Sequence, residues 1–284
     1  MPHSLRNSPA FATFPNLCCI EPNPPESFMK RYGGELIYHD HDADGVLEVV
    51  DTHGIRSLHF GTPPKQSALS LQQPDRIELA YIRAMLSALL FISQPGNVLL
   101  IGLGGGTLAK FLLRQFPQCR VDAVERRAGV VSIARTYFGL PEDGRLRVHV
   151  SDANAWVETQ AQQQTGVYDL ILIDAYDHLG MDSSVNGIDF LSACVGMLTP
   201  QGVLNMNLWG SHPVSLRQSL NLLKLCFPGN ALRLAVPNRG NIIGLGLGRT
   251  LNAAKLKQLE PRARELEIQT GLEMPYFLRN LRMI

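Results

Sequence analysis

Four glycines lie between an apolar run and a helix-like segment, where their backbone could contact a ligand. Residues 99–112 read LLIGLGGGTLAKFL, so Gly102, Gly104 and Gly106 form the pattern G-x-G-x-G. Because glycine has no side chain, the loop backbone can approach a ligand that faces the N-terminus of the helix. The pattern therefore predicts either a ligand-binding loop or a purely structural tight turn.

This loop departs from the dinucleotide-binding fingerprint. The pattern G-x-G-x-x-G would need glycine at position 107, where the sequence has Thr107. Threonine there suits the cap of the helix that follows. The departure favours a nucleoside ligand over a dinucleotide.

Acids end the next two predicted strands. Glu125 ends CRVDAVE, 23 positions after Gly102, where a carboxylate can accept both hydroxyl hydrogens of a ribose. Asp152 follows the third strand, in SDA. Ligands of doubly wound sheets lie outside the carboxyl ends of the strands, so these features predict a nucleoside site. The alternatives are a solvated Glu125 beside Arg126 and Arg127, and a helix-capping Asp152.

Two aspartates three positions apart, Asp174 and Asp177, follow the fourth predicted strand in YDLILIDAYDH. Two carboxylates this close repel each other unless a cation lies between them, and without one the pKa of one carboxyl rises. The pair therefore suits a cationic polyamine substrate. In the alternative interpretation, Asp174 merely ends its strand and caps the segment that follows.

The elements that must position these residues follow an α/β pattern. After residue 76, apolar strand-like runs alternate with helical segments, which predicts a mostly parallel sheet with helices on both faces. Residues 33–75 contain short β-rich pieces separated by turn signals and predict a small antiparallel meander. Residues 1–32 lack any period and predict an extended arm. We therefore expect a small β-domain followed by a larger domain at 76–284.

The segment DRIELAYIRAMLSALLFI at 75–92 has apolar residues at spacings of three and four, which predicts one amphipathic helix. In the preceding meander, DHDADG at 40–45 matches the opening of a calcium loop. Its flanks read as strands and not as helices, so we interpret it as a hairpin turn. The histidines of the meander are predicted to lie on the surface, and they are His39, His41, His53 and His59.

Bulk composition narrows the function classes. The 284 residues carry a net charge of +1, which disfavours nonspecific nucleic-acid binding. The five cysteines lack a zinc-binding spacing, so we expect reduced thiols and no metal site. There is neither an 18-residue apolar run nor a secretory signal pattern, so we expect a cytoplasmic protein with no membrane segment.

The order LIGLGGGT, VDAVE, ARTYFGL, RVHVSDA and YDLILIDAYD resembles the spermidine synthase family of aminopropyltransferases, relatives of Rossmann-like methyltransferases. The resemblance covers most of residues 34–250. It implies a Rossmann-like sheet of the S-adenosylmethionine-dependent methyltransferase type with a small N-terminal antiparallel β-domain. It also implies that residues 102–106 and Glu125 hold decarboxylated S-adenosylmethionine or S-adenosylmethionine, with Asp152 at the adenine.

The same resemblance assigns roles at the other end of the site. Asp174 matches the base that takes the proton of the acceptor amine, and Asp177 matches a residue that binds the amine end of the substrate. Gln66 and Tyr81 match polar residues of the pocket, the first toward the cosubstrate and the second toward the acceptor. The expected partner is a small-molecule amine or other acceptor, and we also expect a homodimer.

Several motifs differ from the family pattern. The glycine loop usually reads GGGDGG, and here GLGGGT carries no acid. The usual Tyr-His-Glu is Tyr81-Ile82-Arg83, and His178 stands where proline is usual. Because these changes remove contacts to a cationic amine, a methyltransferase that uses intact S-adenosylmethionine is an alternative. In that case Arg83 would meet an anionic group. A noncatalytic nucleoside-binding protein is the third hypothesis.

Overall fold

The structure, a computed structural model, describes residues 29–175, 185, 187–250 and 253–284. It begins with a five-stranded antiparallel sheet whose strands follow one another in chain order. These strands are β1 (Lys30–Arg31), β2 (Gly34–Asp42), β3 (Gly45–Thr52), β4 (Ile55–His59) and β5 (Ser67–Ser70). The three apolar pieces predicted as strands are β2, β3 and β4, whereas β1 and β5 were not predicted.

The prediction of four surface histidines is correct for His39, His41 and His53, which are exposed, and wrong for His59. The ring of His59 stacks on Tyr32 with 4.2 Å between centroids. Its Nε2 atom lies 2.9 Å from the hydroxyl of Ser57. His59 is buried because Tyr32 covers the face of β4 that carries it.

The larger sheet has eight strands in the order β13-β11-β12-β10-β9-β6-β7-β8. Its strands are β6 (Asn97–Ile101), β7 (Arg120–Glu125), β8 (Leu146–Val150), β9 (Tyr168–Ile173), β10 (Leu198–Trp209), β11 (Ala231–Ala235), β12 (Asn241–Leu247) and β13 (Arg282–Met283). Five neighbouring strands of this sheet are parallel, namely β8, β7, β6, β9 and β10. The other three, β12, β11 and β13, pair antiparallel to their neighbours. The chain order reverses between β6 and β9, which is where ligands bind in sheets of this kind.

Helices cover both faces of this sheet, as predicted. They are α1 (Ala80–Met85), α2 (Thr107–Gln115), α3 (Ala128–Phe138), α4 (Ala153–Gln163), α5 (Ile188–Met197), α6 (Pro213–Cys226), α7 (Ala253–Lys257), α8 (Glu260–Thr270) and α9 (Met274–Asn280). Buried side chains of α1, α2, α8 and α9 form the core on one face, and those of α4, α5 and α6 form the core on the other. α3 packs its buried face against the small sheet. The architecture confirms the predicted α/β fold.

The long helix predicted at 75–92 is wrong in its extent. Only Ala80–Met85 is α-helical, and a 3₁₀ helix follows at Leu86–Leu90. Ile77 instead forms an antiparallel bridge with Leu69 of β5. A residue held in extended pairing cannot begin a helix, so α1 starts after the chain has left the small sheet.

In the described part of the chain, no helix has the length and apolar character needed to span a membrane.

Candidate active site

A cavity of about 900 Å³ opens at the carboxyl ends of β6, β7, β9 and β10, and the small sheet and α1 close its other side. Most residues predicted for the site line this one cavity. They are Gln66, Tyr81, Gly102, Gly104, Glu125, Asp152 and Asp174. Gly106 is not among the lining residues, and Asp177 lies outside the described residues.

The first two glycines of the loop are needed because other parts of the protein come very close. Gly102 has a φ of 91°, and a Cβ atom there would lie 2.2 Å from the backbone oxygen of Asp174. A Cβ atom at Gly104 would lie 2.7 Å from Oγ of Ser67. The neighbouring Gly105 donates its N–H to the same Oγ at 2.6 Å. The loop is therefore a tight structural turn as well as a wall of the cavity.

The third glycine ends the loop and precedes the helix. Gly106 has a φ of 75° and is the N-cap of α2, whose first residue is Thr107. A Cβ atom at Gly106 would lie 2.5 Å from Cδ1 of Leu140. The expectation that Thr107 caps the helix is wrong, because the left-handed backbone of Gly106 occupies the cap position.

Glu125 is held in the cavity wall by backbone donors. Its Oε2 accepts the N–H of Leu103 at 3.1 Å, and its Oε1 accepts the N–H of Arg127 at 3.0 Å. Burial raises the pKa of Glu125, and the backbone donors of Arg127, Leu103 and Gly104 oppose this shift. Glu125 therefore links the end of β7 to the glycine loop. The alternative of a solvated side chain beside its arginine neighbours is not what the structure contains.

The two arginines that follow Glu125 point toward the small sheet. Arg127 is buried and pairs with both oxygens of Asp42, at 3.0 and 2.8 Å. Arg126 pairs with Asp44 at 3.3 Å. Both aspartates belong to DHDADG, which forms the predicted hairpin turn between β2 and β3. The acids that resemble a calcium loop therefore bind arginines and join the two sheets.

Asp152 has a structural role that the sequence analysis weighed. It is the N-cap of α4, and its Oδ1 accepts the N–H of Ala155 at 3.0 Å. The same side chain borders the cavity at the end of β8. Capping and a place in the cavity wall are therefore compatible.

Asp174 lies directly after β9 and lines the same cavity. Its Oδ1 accepts a hydrogen bond from Nδ2 of Asn207 at 2.9 Å. Burial raises the pKa of Asp174 to about 6, although hydrogen bonds from Asn207 and Tyr81 oppose the shift. The Tyr81 hydroxyl also lies 3.4 Å from the backbone oxygen of Gln66. A carboxyl group with this pKa can accept a proton near neutral pH.

The sequence analysis missed two asparagines of this site, Asn207 and Asn241. Both side chains are almost fully buried, and Nδ2 of Asn241 donates to Oδ1 of Asn207 at 2.9 Å. The available signal was the pattern GVLNMNLW, which places amides inside an otherwise apolar strand. A buried amide needs hydrogen-bond partners, so its position in a strand indicates a polar neighbour in the fold.

Arg83, considered above as a partner for an anionic group, does not line the cavity. Its Nε lies 3.3 Å from Oε1 of Glu273, just before α9, and its Nη1 donates to the backbone oxygen of Ile77. The cations that do line the cavity include Lys65 and Arg239, both of which are exposed. Trp209 forms part of the cavity wall.

Comparison with known proteins identifies two groups of relatives. The chain is 32% identical over 237 residues to a polyamine aminopropyltransferase of Chromobacterium violaceum, which covers 83% of this chain and 89% of that protein. It is 31% identical over 205 residues to an eEF1A lysine and N-terminal methyltransferase of Xenopus laevis, which covers 64% of this chain and 28% of that protein. No family model matches the chain.

Solved structures share the fold. A probable spermidine synthase from Corynebacterium glutamicum superposes with a TM-score of 0.65 at 20% identity, covering 84% of this chain and 93% of that chain. A spermidine synthase in complex with the transition-state analogue AdoDATO superposes with a TM-score of 0.62 at 15% identity, covering 86% and 87%. These similarities support the architecture described above.

Proposed function

The chain belongs to the polyamine aminopropyltransferase family, and we propose that it transfers an aminopropyl group from decarboxylated S-adenosylmethionine to a polyamine acceptor. The observation that carries this proposal is the position of Asp174. Its carboxyl group is buried at the end of β9, bordering the cavity that also contains Glu125. One cavity therefore offers a proton acceptor and a nucleoside-binding acid.

The nucleoside occupies the end of the cavity formed by the glycine loop and β7. Glu125 already accepts the backbone N–H groups of Leu103, Gly104 and Arg127, and a remaining lone pair can accept a ribose hydroxyl. Asp152 uses Oδ1 to cap α4, which leaves Oδ2 to accept a hydrogen bond from adenine. Gly102 and Gly104 line this end, and Gln66 contributes from the small sheet. Gly106 acts indirectly, by shaping the loop.

The acceptor amine binds at the other end, where Asp174 and Tyr81 meet. An alkylammonium group has a pKa near 10, so it must lose a proton before its nitrogen can attack. Asp174 as a carboxylate attracts the ammonium group and takes that proton. Asp177, three residues further along the chain, is proposed to bind the substrate's second amine.

The transfer is a substitution at carbon. The lone pair of the neutral amine forms a bond to the propyl carbon next to the sulfonium. The carbon–sulfur bond breaks, and its electron pair stays on sulfur, which becomes a neutral thioether. The nitrogen gains the positive charge that sulfur loses, so charge is conserved, and Asp174 keeps the proton until it exchanges with solvent.

Methyl transfer is the second candidate function. It is supported by the relatives named eEF1A lysine and N-terminal methyltransferase and by the lack of an acid in GLGGGT. Lys65 and Arg239 at the cavity wall would suit the carboxylate of intact S-adenosylmethionine. In this case Asp174 would still take a proton from an amine acceptor.

Parallel thermal-shift measurements with the two nucleosides distinguish the candidates. A ligand at 100 times its dissociation constant stabilises the folded protein by about 2.7 kcal/mol. Stronger stabilisation by decarboxylated S-adenosylmethionine, together with product formed from putrescine, supports aminopropyl transfer. Preference for the intact nucleoside without that product favours methyl transfer. Binding of a nucleoside without an aminopropylated or methylated product supports the noncatalytic hypothesis. If neither nucleoside raises the melting temperature, all three proposed functions are contradicted.

We further propose that the protein is cytoplasmic and forms a homodimer through its small β-domain. Light scattering coupled to size-exclusion chromatography measures the mass of the particle in solution. A mass near twice 31.3 kDa is expected, and a mass near 31.3 kDa would contradict the dimer.

A further inference from the structure

A line of two amides runs through the large sheet to Asp174. Asn241 lies at the start of β12, and Asn207 lies on the neighbouring strand β10. Both are buried, with 6% and 2% of their surface exposed. Asn241 donates to Asn207, and Asn207 donates to Asp174, each over 2.9 Å between nitrogen and oxygen.

The two bonds share one direction. A side-chain amide has a donating nitrogen and an accepting oxygen, so rotating the amide by about 180° interchanges its donor and acceptor positions. Because Asn241 donates to Oδ1 of Asn207, the NH₂ group of Asn207 faces Asp174. In the reverse orientation two oxygens would face each other at the carboxylate, which is unfavourable in a buried site.

We propose that Asn241 is a positioning residue that fixes the orientation of Asn207, so that Asp174 keeps a donor on Oδ1 and takes up a proton on Oδ2. Asn241 borders the cavity, and its hydrogen bond is to Asn207. Its effect passes through Asn207, and it determines both where the carboxylate lies and how strongly that carboxylate holds a proton. This role concerns the ligand-free protein and does not depend on which group the enzyme transfers.

Among the described residues, the groups facing Asp174 come from three elements. Tyr81 of α1 is the titratable one, and it donates to the carboxylate. Asn207 of β10 is neutral, and the loop after β6 contributes the backbone of Gly102. Two neutral donors therefore oppose the effect of burial on the pKa of Asp174. Turning Asn207 round would remove one of them.

The test is to titrate Asp174 in two variants of Asn241. Asn241→Asp has nearly the same shape, but its carboxylate can only accept, so Asn207 must turn its NH₂ group toward it. Asn241→Leu carries no charge and removes the donor to Oδ1 of Asn207. Carbonyl-carbon NMR of ¹³C-labelled aspartate in the ligand-free protein follows the titration, and Asp174→Asn identifies the signal by its loss. We expect upward shifts of about 1 pH unit for Asn241→Asp and about 0.5 for Asn241→Leu.

Asn205→Leu is the matched control. Asn205 is buried on the same face of β10, two residues from Asn207, but it donates to the backbone oxygen of Met85. This variant should leave the titration of Asp174 unchanged. Unshifted titration in both Asn241 variants would overturn the proposal. A shift in Asn241→Asp alone would also overturn it, because charge repulsion without reorientation would then explain the result. If Asn241→Asp does not fold, the neutral variant decides.

Discussion

The two ends of the cavity are built in different ways. At the proposed nucleoside end, Glu125 is the last residue of β7 and is fixed by the backbone N–H groups of Leu103 and Arg127. At the proposed acceptor end, Asp174 is fixed by the side chains of Tyr81 and Asn207, which come from α1 and β10. Backbone contacts preserve the first arrangement whatever the nearby side chains are. The second depends on the identity of each residue, so it can change while the fold stays the same.

The substitution expected to separate the two ends of the cavity most strongly is Asp174→Asn. Removing the base should lower the rate of transfer by about 10²- to 10⁴-fold, because a positioned general base contributes that much. The dissociation constant of the nucleoside should change by no more than about twofold, since the substitution leaves the proposed nucleoside end unchanged. Turnover from initial rates and affinity from calorimetry measure the two effects. A variant that kept its rate would show that Asp174 is not the base.

Gly102→Ala tests whether the two ends are mechanically linked. The new Cβ would collide with the backbone oxygen of Asp174 in a loop with φ of 91°. We expect a loss of roughly 2–4 kcal/mol in the free energy of unfolding, combining overpacking with backbone strain. Gly139→Ala is the control, because that glycine has a φ of 65° and nothing within 4 Å of its Cβ position. Equal losses in urea unfolding would show that the contact contributes nothing.

The contribution of Asp174 to the free energy of unfolding should also depend on pH. Because burial raises the pKa of Asp174 to about 6 in the folded protein, the native state binds more protons than the unfolded state between about pH 4 and 6. The contribution of this residue to stability is therefore greatest below pH 4 and is lost as the pH rises to about 6. The loss is at most about 3 kcal/mol. Unfolding of Asp174→Asn across this range should lack that slope, and an identical slope would assign it to other groups.

Glu125→Gln is the corresponding change at the nucleoside end. An amide would place an NH₂ group against at least one of the backbone donors of Leu103, Gly104 and Arg127, and it would remove the negative charge. Weakening charge-assisted bonds to the ribose should lower nucleoside affinity by about 10- to 100-fold. The rate at saturating nucleoside should change much less than in Asp174→Asn. A fall in that rate as large as the one in Asp174→Asn would erase the contrast between the two ends.

The sequence predicted which acids share the cavity because their signals are local. Glu125 ends β7, Asp152 follows β8 after one intervening residue, and Asp174 directly follows β9. A chain-order argument therefore brings the three acids to one edge of the sheet. It could not predict Asn241, whose partner lies 34 positions earlier and on another strand. It also predicted too long a helix before α2, because the bridge between Ile77 and Leu69 is a tertiary contact that periodicity cannot show.

The pairing of Arg126 and Arg127 with the hairpin turn of the small sheet has an evolutionary consequence. Of three consecutive residues, Glu125 lines the cavity, and Arg126 and Arg127 pair with aspartates of the small sheet's hairpin. Because these residues are adjacent in the chain, an insertion or deletion here would displace Glu125 from the cavity wall and also the arginines from their aspartates. Loop length can drift in many places between strands and helices, but we expect descendants of this chain to keep the spacing of these three residues even where the residues themselves are exchanged.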